Sequence, residues 1–136
     1  MFGALSVAGS GVSAGFEWLA TSAGNVANRG DTASRSAAAY RVQTPVFTPV
    51  AAAVGQGQPV RVAKVALGPP GTPAYAPGSP TANAKGVTFY PTESLAGQMV
   101  QALTARLSVE ANVAVMRHAL AAYRSVLALG GRSSRM

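Results

Sequence analysis

A chain of 136 residues, 49% hydrophobic and only 11% charged, has room for one modest domain or one extended subunit and is too apolar for a solvated disordered tail. Alanine supplies much of the apolar share, and four Phe, four Tyr and one Trp leave few large core-filling groups, so burial against other chains is expected. The formal charge is +7, but Arg29, Arg35, Arg41, Arg61, Lys64, Lys85, Arg106, Arg117, Arg124, Arg132 and Arg135 form no run or helical stripe and no aromatic platform, which disfavours a nucleic-acid binder; the lack of cysteine excludes disulfides and thiolate metal sites.

Residues 1–30 carry helical periodicity. Leu5, Val12, Leu19 and Val26 fall seven apart, with Ala8, Gly15 and Ser22 three residues after the first three of them. This predicts a thin apolar seam with small residues beside it, suited to close helix–helix approach. Gly30 is the expected stop. Gly9, Gly11, Gly15 and Gly24 lie inside the pattern, each costing about 1 kcal/mol relative to Ala, so the segment needs a neighbour to hold it helical. The first residues lack a basic region and a run of large apolar side chains, so no cleaved signal peptide is expected.

Residues 31–91 hold all nine prolines, which excludes long helices. Tyr40–Phe47 and Val60–Leu67 read as strands, the second changing phase at Ala63–Lys64 as a bulge or edge strand would. Val87–Tyr90 is a third short run. Gly68–Pro80 reads as an extended connection, with Pro77–Gly78 at the centre of a type II turn.

Residues 92–130 form the stronger helix, with Thr92 as the expected N-cap and Gly130–Gly131 as the stop. Its seam reads Met99, Ala102, Arg106, Val109, Val113, Met116, Leu120, Tyr123 and Leu127, broken only by Arg106. At 1.5 Å per residue this is roughly 55 Å of helix, longer than a small globule needs. Residues 131–136 complete the chain as a basic tail. The expected fold is therefore mainly α with a small β or extended insert, the terminal helices pairing as a coiled-coil-like bundle.

Little chemistry is offered. One histidine, His118, and four acids, Glu17, Asp31, Glu93 and Glu110, supply neither a zinc ligand set nor a triad at recognisable spacing. Gly9-x-Gly11 with Gly15 has the wrong spacing for a phosphate loop. No catalytic, cofactor-binding or metal residue is assigned, no cofactor is expected, and no enzyme is read.

Four segments carry a family resemblance. Ser22-Ala23-Gly24-Asn25-Val26-Ala27-Asn28 resembles the Asn-aliphatic-Ala-Asn signature of flagellar rod and hook proteins. Asp31-Thr32 and Tyr40-Arg41-Val42-Gln43-Thr44-Pro45-Val46-Phe47 are similar to the FlgC pattern around its first strand. Tyr75-Ala76-Pro77-Gly78-Ser79-Pro80-Thr81-Ala82-Asn83-Ala84-Lys85-Gly86-Val87 resembles that family's Tyr-x-Pro-Gly-x-Pro segment, and Glu110-Ala111-Asn112-Val113 its Gln-Ala-Asn-Val. Asn83 replaces the usual Asp, Thr92-Glu93-Ser94 stands for Asn-Val-Asp, Gln98 for Glu, and Val109-Glu110 for Tyr-Gln.

The resemblance is to flagellar basal-body proximal rod proteins of the FlgC type, within the rod and hook axial superfamily. It implies a subunit exported by the flagellar type III apparatus without signal cleavage, polymerising into the hollow proximal rod. Its partners would be copies of itself and other rod proteins, near the MS ring and export gate, in the periplasmic space of a two-membrane cell, with no nucleic acid and no membrane span. Leu5, Val12, Leu19, Asn25, Val26, Asn28, Met99, Val109, Asn112, Val113, Met116, Leu120, Tyr123 and Leu127 are the expected assembly residues. The alternatives are a FlgB-like axial protein or, from another class, a small basic nucleic-acid-binding protein.

Overall fold

The computed structural model describes residues 2–51 and 57–133. Two helices dominate: α1, Phe2–Ala27, and α2, Leu95–Ser133. They run antiparallel, since Gly11 lies against Asn112, Gly15 against Val109, and Asn25 bonds Gln98. Between them come a 3-10 turn, Ser36–Ala38, and four strands: β1 Gln43–Pro49, β2 Val60–Leu67, β3 Thr72–Tyr75 and β4 Val87–Tyr90. The expected architecture, mainly α with a small antiparallel β region, is what the chain adopts.

The helix ends differ from expectation in instructive ways. α1 stops at Ala27, before Gly30: after the Asn28 N–H bond to Gly24 O the chain tightens into i→i−3 turns, Arg29 N–H to Val26 O at 3.4 Å and Asp31 N–H to Asn28 O at 3.0 Å, while Asn28 Nδ2 also donates to Gly24 O at 2.8 Å. Ser94, and not Thr92, heads α2: Ser94 Oγ accepts from Gly97 N–H at 3.4 Å, while Thr92 Oγ1 bonds Thr72 and the Pro70 carbonyl. Gly130–Gly131 do not stop α2, which continues to Ser133; the only described glycine with positive φ is Gly86, and a glycine that keeps helical dihedrals ends nothing. The end of the expected basic tail, 134–136, lies outside the described residues.

β1 and β2 form an antiparallel hairpin whose register shifts between Val46, opposite Lys64, and Phe47, opposite Val62. Ala63 is the extra residue, where the phase of the sequence changed. β1 starts at Gln43, later than Tyr40, because Tyr40 is turned towards α1. β3 lies within what read as a Pro/Gly-rich connection and pairs antiparallel with β4. Ala33 extends that small sheet, exchanging backbone bonds with Phe89 at 3.1 and 2.9 Å.

The Pro77–Gly78 turn is present, closed by Ser79 N–H to Ala76 O at 3.0 Å. Gly78 does not take positive φ, so the turn is not of type II. That conformation belongs to Gly86, at φ +70°, where an added Cβ would stand 3.0 Å from the Tyr75 ring. Asn83 organises this loop: its Oδ1 accepts from Lys85 N–H at 2.9 Å and Val87 N–H at 3.1 Å. An aspartate would accept both bonds equally, so the change from the family's acid removes a charge and keeps the turn.

The core is thin. Among the described residues the buried apolar side chains are Ala8, Ala14, Ala39, Val42, Pro45 and Ala105, none of them large, while many large side chains stay exposed. One buried hydroxyl, Thr88 Oγ1 on β4, has no hydrogen-bond partner. Thr88→Val keeps the shape and removes the orphaned oxygen, so it should raise stability by about 1 kcal/mol in denaturant unfolding. A loss above ~1 kcal/mol would mean that the hydroxyl is satisfied in solution.

Candidate assembly interface

The α1–α2 contact is built from the small residues of α1. Ala8, Gly11, Gly15, Ser22 and Asn25 are buried and Trp18 is half-buried, a heptad spacing displaced from Leu5, Val12, Leu19 and Val26. On α2 Gln98 and Ala105 are buried, and Ala102, Ser108, Val109, Asn112, Val113, Met116 and Ala119 are half-buried. Ala102, Val109 and Met116 of the expected α2 seam are thus half-buried. At two of the alternate positions burial moves back by one, from Arg106 to Ala105 and from Leu120 to Ala119, while Asn112 and Val113 are both half-buried. Arg106, which broke the apolar pattern, thus leaves the contact and pairs with Glu110 at 2.8 Å in solvent.

Gly15 shows why small residues are needed. A Cβ there would lie 2.5 Å from Val109 Cγ2 and 3.5 Å from the Ala105 carbonyl. At Gly11 it would meet the Asn112 amide at 2.5–2.7 Å. Glycine therefore sets the helix separation at these two points. Gly9 and Gly24, by contrast, have open space beside them.

One polar node locks three elements together. Asn25, 3% exposed, accepts at Oδ1 from Tyr40 O–H and Gln43 N–H, both at 2.9 Å. Its Nδ2 donates to Gln43 O at 2.8 Å and to Gln98 Oε1 at 2.9 Å. That uses the two lone pairs and both protons of the amide. Toward Gln43 the side chain acts as a peptide group, standing in for a neighbouring strand at the head of β1. Gln98, where the family pattern has Glu, supplies the acceptor without burying a charge.

Higher along α1, Trp18 donates to Gln101 Oε1 at 3.1 Å and meets Phe47 edge-on, with centroids 5.6 Å apart. Ser10 Oγ accepts from Val60 N–H at 2.9 Å. An open groove of about 340 Å³ remains where α1, α2 and the hairpin join, with Gly15, Trp18, Phe47 and Asn112 among its walls and no titratable side chain lining it.

The expected assembly residues fall into two sets on the single chain. Asn25 is buried, and Leu5, Val12, Leu19, Val109, Asn112, Val113 and Met116 are half-buried. Val26, Asn28, Met99, Leu120, Tyr123 and Leu127 are exposed. Sequence reasoning placed Ala8, Gly15 and Ser22 beside the seam and not in it, read Gly11 only as a cost, and missed Trp18 and the bonds that join Tyr40 and Gln98 to Asn25. It also missed a basic face: Arg106, Arg117 and Arg124, spaced eleven and seven apart, fall within about 20° of one another around α2.

His118, Glu17, Asp31 and Glu110 are exposed and Glu93 is half-buried, on separate parts of the chain. Among the described residues no group of three or more His, Cys, Asp or Glu side chains is placed to hold a metal, and no helix is long and apolar enough to cross a membrane.

No protein-family model matches the chain. Among curated proteins, it is 36% identical over 126 residues to the flagellar basal-body rod protein FlgC of Yersinia enterocolitica, a match covering 91% of this chain and 93% of the relative. The proteins of the same name from Escherichia coli O157:H7 and Salmonella typhimurium are each 33% identical, over 125 and 126 residues, with the same coverage.

Proposed function

Because the chain belongs to the FlgC family of flagellar basal-body rod proteins, we propose that it works as a structural subunit of the basal-body rod and carries out no catalysis. The observation that carries this is similarity along nearly the whole chain to rod proteins of that name, at 33–36% identity. Short apolar seams and exposed large side chains suit a protein whose burial is completed by neighbours.

In this reading the helical unit comprises residues 1–30 and 92–130, and the insert 31–91 braces it. The α1–α2 seam is coiled-coil-like, with heptad-spaced small and polar residues. Val26, Met99, Leu120, Tyr123 and Leu127 meet neighbouring subunits, which are copies of the chain and other rod proteins. Leu5, Val12, Leu19, Asn25, Val109, Asn112, Val113 and Met116 hold the subunit's own helices in the shape those neighbours need. Asn28 caps α1 beside the first contact. The subunit leaves the cytoplasm through the flagellar type III apparatus without losing a signal peptide. It sits in the hollow proximal rod near the MS ring and export gate, in the periplasmic space where the cell has two membranes.

Complementation tests this. In cells lacking the gene, the chain should restore swimming, Leu120→Asp should abolish it by burying an unpaired charge on incorporation, and His118→Ala should be without effect. Full motility with Leu120→Asp would refute that contact, and loss with His118→Ala would reopen a chemical role.

A further inference from the structure

At three positions the family pattern carries a carboxylate and this chain a neutral group: Asn83, Ser94 and Gln98. Each accepts a hydrogen bond in a different part of the fold. Asn83 Oδ1 takes Lys85 N–H at 2.9 Å and Val87 N–H at 3.1 Å in the loop before β4. Ser94 Oγ takes Gly97 N–H at 3.4 Å at the head of α2, and Gln98 Oε1 takes Asn25 Nδ2 at 2.9 Å inside the polar node. A carboxylate at Asn83 or Ser94 would be favoured in its ionised form by those N–H groups, which lowers its folded-state pKa. Its contribution would then be present above the unfolded value and lost as acid protonates it. An amide oxygen or a hydroxyl has no such step.

The carboxylates that remain carry little of the fold. Among the described residues only Glu110 accepts a hydrogen bond, from Arg106 at 2.8 Å, in an exposed pair four residues apart on one helix, a kind that contributes little. Glu17 and Asp31 are exposed, and Glu93, half-buried, precedes Ser94. The ionisable groups around the three neutral acceptors are Lys85 in the Asn83 loop, Tyr75 of β3 beside Gly86, Glu93 next to Ser94, and the Tyr40 phenol bonded to Asn25. Among the described residues no ion pair involves any of them. Acid raises the net positive charge by protonating the four acids and His118, but that is a diffuse repulsion which salt screens.

We infer that this chain is an acid-tolerant form of its fold. The acceptors in the β4 loop, at the α2 cap and in the Asn25 node are neutral, so protonation breaks none of these bonds, and the folded state persists from neutral pH to about pH 3. The inference concerns the folded chain itself and stands apart from the rod reading.

The test is urea unfolding of the purified full chain at about pH 7 and about pH 3, in about 0.15 M salt, followed by far-UV circular dichroism. Asn83→Asp and Ser94→Asp are measured beside it. Both substitutions keep the acceptor, so both variants should fold at neutral pH. The parent's midpoint should fall by less than about a third on acidification. Each variant's folding constant, taken relative to the parent's, should be about fivefold lower at the acid pH, the loss expected for a carboxyl held about one unit below its unfolded value of about 3.9. A larger fall in the parent's midpoint overturns the inference, as does either variant changing by less than about twofold relative to the parent. A parent with no cooperative transition at neutral pH overturns it too, since there would be no fold for acid to spare.

Discussion

Asn25→Leu should destabilise the chain by about 3 kcal/mol or more, read as a fall in the denaturant midpoint with unchanged slope. The substitution deletes four hydrogen bonds at once and leaves Gln98 Oε1 without its donor in a site only 6% exposed. Tyr40 and the Gln43 backbone regain water in part, which keeps the expected loss below four times the cost of one orphaned group. For a chain of marginal stability this is a large fraction of the total. Asn28→Ala, which removes one exposed bond to Gly24, should cost only about 0.5 kcal/mol. Asn25→Asp separates donor from acceptor. Its carboxylate keeps the bonds from Tyr40 and Gln43 N–H, loses both donated bonds, and buries a charge. Burial raises the folded-state pKa of that carboxyl above its unfolded value, so the variant's stability is greatest when it is protonated and falls as pH rises. Part of the loss should therefore return below about pH 4. An Asn25→Leu variant within ~1 kcal/mol of the parent would show that the node does not hold the helices to the insert.

Gly15→Leu should be comparably damaging, about 3 kcal/mol, because the space beside Gly15 is filled by Val109 Cγ2 and the Ala105 carbonyl. Gly15→Ala makes the cause testable. Alanine gains about 1 kcal/mol of helix propensity, but its Cβ meets a stiff β-branched methyl at 2.5 Å, and overpacking of this kind costs about 1–3 kcal/mol. The net effect should be a loss. Adding Val109→Ala removes that methyl, so the double variant should be more stable than the sum of the singles by about 1 kcal/mol. Gly9→Ala and Gly24→Ala have no atom within 4 Å of the new methyl and should stabilise the chain by about 0.5–1 kcal/mol. Additive behaviour of Gly15→Ala and Val109→Ala would contradict the close approach of the helices.

Much of this arrangement is legible from periodicity. The two helices, the strands at 40–47, 60–67 and 87–90 and the Ala63 irregularity follow from heptads, alternation and proline placement; the pairing of the strands does not. On α2 counting large apolar residues favours Met99 and Leu120, which are exposed, over Gln98 and Ala119, which are better covered. On α1 the same counting favours Leu5 and Val12 over Ala8 and Gly15. Helices that approach through glycine bury backbone and small groups, and the large side chains flank the contact. Asn25 was noticed as part of a motif, but its four bonds depend on Tyr40, Gln43 and Gln98, brought together only by the fold. β3 was hidden because Pro73 sits inside it; a two-stranded sheet tolerates proline on an open edge. The arginine face was missed because eleven and seven residues look scattered along a line and coincide only around a helix.

The most direct test of the rod assignment is a cryo-EM map of basal bodies isolated from cells whose only FlgC-family protein is this chain. Rod density fitted by the α1–α2 pair is expected, with Gly15 against Val109 and Asn25 between the two helices and β1. Basal bodies with a complete rod from which the chain is absent would contradict it.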